Sequence, residues 1–77
     1  MTPELQKYYD DRFTMMSTQG WVDLVEDVQV MFDSYNKVTT VDSVEELHKR
    51  KGQLDILQWI LTLKAVSEAA FEELENE

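Results

Sequence analysis

The chain has no cysteine, one histidine, one proline and two glycines among its 77 residues. Without cysteine, disulfides and thiolate metal sites are excluded. A single imidazole, His48, does not supply a zinc centre, whose ligand sets normally combine Cys and His. No stretch approaches the ~20 apolar residues of a membrane-spanning helix. The opening "MTPELQKYYDDRF" has neither the basic start nor the apolar run of a secretion signal, so a soluble chain is expected. Basic residues are scarce as well: 7 Lys and Arg stand against 16 Asp and Glu, a net charge of -9. A surface of that sign repels the phosphates that dominate nucleic-acid affinity, and it repels anionic lipid. No direct nucleic-acid partner, no membrane and no cofactor are expected.

What remains is apolar material in quantity. Hydrophobic residues make up 43% of the chain, too many for a disordered acidic tail. A chain this short forms one domain and buries roughly 60–65% of its unfolded surface, a marginal core. Small scaffolds compensate with disulfides, metals, very regular helix packing or a partner. Composition removes the first two. Helix packing and association with another chain are left.

The pattern of apolar residues is helical throughout. Thr2 before Pro3 is a helix start. Leu5, Tyr9, Phe13 and Met16 then recur at three- and four-residue intervals, widened by Tyr8 and Met15, over a helix spanning about 3–16. After "STQG", where Ser17 or Thr18 can cap, Trp21, Val25, Val28, Phe32 and Tyr35 repeat that spacing over 19–36. Leu24 and Met31 thicken this face, and Asp23, Glu26, Asp27 and Asp33 lie mainly opposite. "NKVTTVDS" is a break, and Asp42 with Glu45, or Ser43 with Glu46, forms a capping-box pattern. A third helix is expected over 43–75, kinked near 52 or 62 if it is kinked at all. The fold class is all-α, a small helical hairpin or three-helix arrangement with a long C-terminal helix and no sheet.

The third helix carries two oddities. "LDILQWILTL" is apolar on nearly every side, which marks a helix buried all round. Leu54, Leu57 and Leu61 form one stripe; Ile56, Ile60 and Leu63 form another. Trp59 falls off both stripes, and two short helices cannot cover three directions. Trp59, Leu63 and Tyr8 are therefore expected to contact another chain, whereas Tyr9, Phe13, Trp21, Phe32 and Tyr35 read as core. At its far end Glu72, Glu73, Glu75 and Glu77 oppose the helix macrodipole, so the last turn is expected to fray.

The other oddity is "HKRKG", which gathers Lys49, Arg50 and Lys51 ahead of Gly52. One reading ends a short helix there, with cations in its last turn and glycine after it. The preferred reading keeps the helix continuous, since Leu47, Lys51 and Asp55 share one face and an interior glycine costs only about 1 kcal/mol. The cations would then pair with Asp23, Glu26 and Asp27, and Gly52 would admit a close neighbour. Three cations neutralise too few phosphates for nucleic acid. An acidic patch on a protein, including a copy of this chain, suits Lys49, Arg50 and Lys51 better. Adjacent carboxylates such as Asp10 and Asp11 point about 100° apart on a helix and do not share a site. No acid–base pair for catalysis and no small-molecule substrate pocket can be read from the residues.

Gly20–Trp21 and Arg50–Lys51–Gly52–Gln53–Leu54, set in residues 5 to 75, resemble small helical proteins encoded by short-tailed bacteriophages (podoviruses). The resemblance implies a phage protein from the structural or assembly genes, with no catalytic residue to carry over. The expected function is a non-enzymatic virion or assembly component that packs against copies of itself or a larger structural protein. Host cytoplasm during synthesis and the virion are the expected locations. The alternative is an acidic inhibitor that mimics nucleic acid. Asp23, Glu26, Asp27, Asp33, Glu72, Glu73 and Glu75 would then stand in for phosphates on a host DNA-binding protein.

Overall fold

The computed structural model describes residues 1–77. Three helices, α1 (Pro3–Met16), α2 (Gln19–Tyr35) and α3 (Val44–Glu75), are joined by two short connections, with no strand. Each begins on a hydroxyl. Thr2 Oγ1 accepts from the Leu5 N–H at 3.1 Å, Thr18 Oγ1 from Trp21 at 3.2 Å and Ser43 Oγ from Glu46 at 3.0 Å. These bonds satisfy amides that a helix start leaves without partners. At Ser43 the reciprocal half of the capping box is not made, because the Glu46 carboxylate turns to Arg50 at 3.3 Å.

α3 is one continuous helix, so the reading that ends a helix at Gly52 is set aside. Its 32 residues span about 48 Å at 1.5 Å per residue, which accounts for the molecule's 50 Å length. α2 packs antiparallel against the first half of α3, and α1 against the second. Arg12 donates to Ser67 Oγ at 3.2 Å, and Phe71 meets Tyr9 and Phe13 with ring centroids 5.6 Å from each. The arrangement is a hairpin in which one long helix backs a broken arm of two.

The contact seam follows a 3–4 spacing on all three helices. Leu5, Tyr9, Arg12 and Met16 face inward from α1; Trp21, Val25, Val28, Phe32 and Tyr35 from α2; Arg50, Gln53, Leu57, Ile60, Ser67, Phe71 and Leu74 from α3. Alternating threes and fours average 3.5 residues, the period at which helices pack knobs into holes. The seam is narrow. Only Met16, Val28, Leu57 and Ser67 are buried, 4 of 77 residues. The radius of gyration is 16.3 Å, against roughly 11–12 Å for a compact domain of this length.

One expectation changes here. Leu24 and Met31 do not thicken the core of α2; they stand exposed at its flank. α3 runs to Glu75, where Leu74 is half-buried and the Asn76 N–H closes onto the Glu72 and Glu73 carbonyls. Tyr8 is exposed and lies against the Arg12 guanidinium, which is 4.8 Å from its ring centre.

Candidate interaction face

The residues left outside by this packing form a pattern of their own. On α3, Gly52, Ile56, Trp59, Leu63, Val66 and Ala70 recur at spacings of four, three, four, three and four. Ile56 is 64% exposed, Trp59 59% and Val66 59%, while Leu63 and Ala70 are partly covered. At 100° per residue this strip lies about a quarter turn around α3 from the inward seam. The two-stripe division drawn from sequence is therefore corrected: Ile60 joins Leu57 on the inside, and Trp59 shares its face with Ile56 and Leu63.

Neighbouring helices extend the apolar side. Met31 shares an open groove with Gly52, Ile56 and Leu57, so the exposed Leu24 and Met31, two turns apart on α2, border the strip. At the other end Arg12 bridges from the Tyr8 ring to Ser67, beside Val66. Gly52 has no intrachain reason to be glycine: its φ is not positive, and a methyl group there would meet nothing within 4 Å. The expected close approach to Gly52 from within the chain is absent.

The three cations of "HKRK" separate. Arg50 is part of the fold: it donates to the Tyr35 carbonyl at 3.0 Å and to Thr40 Oγ1 at 2.9 Å, and pairs with Glu46. It thereby ties the C-terminus of α2 to the connection and to α3, with its guanidinium 5.6 Å from the Tyr35 ring centre. Lys49 and Lys51 are exposed, and neither makes an ion pair. The expected pairing of these cations with Asp23, Glu26 and Asp27 is not made. α2 runs antiparallel to α3, so the early acidic residues of α2 lie beside the middle of α3 rather than its basic start. Lys51 and His48 instead rim an open groove of about 370 Å³ floored by Val38, Val41, Leu47 and Leu54.

Elsewhere the charges are surface features. The Lys7–Asp11 pair, 2.6 Å long, raises the Lys7 pKa through the hydrogen bond to Asp11 and its opposite charge. Lys7 is fully exposed, so the pair carries little structural weight. No three His, Asp or Glu side chains converge as a metal site would require. The surface depressions are all open grooves between helices. No helix is long and apolar enough to cross a membrane.

What this arrangement offers chemically is contact area: an uncharged helical strip with an indole at its centre. Of the residues singled out from sequence, Trp59 and Leu63 lie on this strip and Tyr8 stands exposed on α1, while Val66 and Ala70, not singled out, continue the same 3–4 spacing one turn further. Compared with protein-family models, curated proteins and solved structures, the chain matches none.

Proposed function

We propose that this chain is a non-enzymatic helical interaction protein, and that in its working form another protein covers the outer face of α3. The observation carrying this is the strip from Gly52 to Ala70, apolar along its length and centred on an indole that stands 59% exposed. Contiguous apolar surface of this kind marks interaction sites, and aromatic residues at the centre of such a patch supply most of the binding energy. The resemblance carried by Gly20–Trp21 and Arg50–Leu54 supports a small virion or assembly component of a tailed phage, made in the host cytoplasm. Its partners would be copies of itself or a larger structural protein. The rival reading, mimicry of nucleic acid, leaves the apolar strip without a role. It also needs a continuous field of carboxylates, which Lys49 and Lys51 interrupt.

The test is the accessibility of Trp59, isolated by the conservative Trp21→Phe change. In dilute solution acrylamide should quench its fluorescence freely, and in the working assembly quenching should fall several-fold. A chain of monomer mass whose Trp59 is already shielded would overturn the reading.

A further inference from the structure

We propose that the outer face of α3 takes a second copy of this chain, the two α3 helices running antiparallel about a two-fold axis at the level of Leu61. The proposal rests on the interaction reading above and names its partner. Three observations carry it: an amount of surface, a register and a charge pattern.

The surface comes first. The chain exposes 5889 Å², against roughly 4,900 Å² for a folded monomer of its 9.1 kDa mass. The excess, about 1,000 Å², matches the roughly 800 Å² per partner that a stable interface covers. One copy of this chain is enough to account for it.

The register follows from the strip itself. Its spacing is symmetric about position 61, so an antiparallel copy sets Trp59 beside Leu63 of the partner subunit and Ile56 beside Val66 of the partner subunit. One turn further out Gly52 meets Ala70 of the partner subunit. Two small residues there let the backbones approach at both ends, while the bulky pairs fill the middle. This gives Gly52 the role that its own chain does not, since nothing within 4 Å requires its missing side chain.

Charge decides the direction. Continuing the strip outward brings Lys49 to Glu73 of the partner subunit, twice by symmetry, and neither residue has an ion-pair partner in its own chain. A parallel pair would instead oppose lysine to lysine and glutamate to glutamate, which is unfavourable. The strip is also where a chain of net charge -9 can meet itself. Among the positions bordering it between Gly52 and Ala70 on the side away from the core, Asp55, Thr62 and Ala69, only Asp55 is charged, and it faces Ala69 of the partner subunit.

The cysteine-free chain makes the test clean. Wild type should sediment at twice the 9.1 kDa chain mass at micromolar concentration. Gly52→Cys and Ala70→Cys chains, mixed and mildly oxidised, should cross-link to each other, and each alone should cross-link at least tenfold less. Lys49→Glu should weaken association about tenfold, and adding Glu73→Lys to the same chain should restore it. Preferential cross-linking of Gly52→Cys to itself, or charge reversal without rescue, would overturn the register and with it the proposal. A wild type that stays monomeric at all concentrations would also overturn it. Trp59 quenching in the same samples separates the two readings: a monomer with an open Trp59 removes only self-pairing, and a monomer with a shielded Trp59 removes the interaction face as well.

Discussion

Replacing Trp59 by serine separates an interface residue from a core residue. In the isolated chain the side chain is 59% exposed. A tryptophan offers roughly 250 Å², so a partner can cover about 150 Å², worth roughly 3–4 kcal/mol at ~25 cal/mol per Å². The remaining two fifths or so is already covered within the chain, and tryptophan and serine have nearly equal helix propensity. Loss to the isolated fold is therefore at most about 1 kcal/mol, a shift of roughly 4–8 °C in melting temperature. A symmetric pair loses two indoles, but these share one cluster and do not add. An overall loss of about 4 kcal/mol weakens association roughly a thousandfold. Sedimentation equilibrium and circular dichroism on matched samples of wild type and Trp59→Ser measure both quantities. Loss of helical signal in step with loss of association would place Trp59 in the core and refute the reasoning. Unchanged association in the variant would refute it from the other side.

Two further substitutions probe what holds the monomer together. Phe71→Ala removes the ring that meets both Tyr9 and Phe13, a loss of about 3 kcal/mol for a partly buried aromatic with two ring partners. Hydrogen exchange should show α1 losing protection while α2 and the first half of α3 keep theirs, and equal loss in all three helices would contradict this. Arg50→Ala should cost about 2 kcal/mol by removing charged donors from the Tyr35 carbonyl and Thr40 hydroxyl. Arg50→Lys should not recover it, because one ammonium cannot replace the guanidinium fork. A melting temperature within ~2 °C of wild type in Arg50→Ala would show that this tie is dispensable.

The two short helices were legible because each carries one apolar stripe on a polar background. Leu5, Tyr9 and Met16 face inward as their spacing predicts, and so do Trp21, Val25, Val28, Phe32 and Tyr35. The start at Thr2 was legible too, and the other two were narrowed to neighbouring pairs, Ser17 or Thr18 and Asp42 or Ser43, of which Thr18 and Ser43 make the capping bonds. α3 was harder for the opposite reason. With apolar residues on nearly every side, periodicity selects no inward face, and the choice falls to where α1 and α2 cross it. That is how Ser67 comes to be buried under Arg12 while Ile56 and Val66 stay outside. The basic cluster looked like one feature because its members are adjacent. On a helix adjacent residues diverge by about 100°, so only Arg50 reaches back to α2.

The most direct measurement is the melting temperature of the wild-type chain across a hundredfold range of concentration. A fold completed by a second copy is stabilised by mass action, so its midpoint rises with concentration. For two chains of 77 residues, with an unfolding enthalpy of about 0.7 kcal/mol per residue, the rise is roughly 5 °C per tenfold. A shift of that size, abolished by Trp59→Ser, is the expected result. A midpoint that does not move with concentration, in a chain of monomer mass, would contradict it.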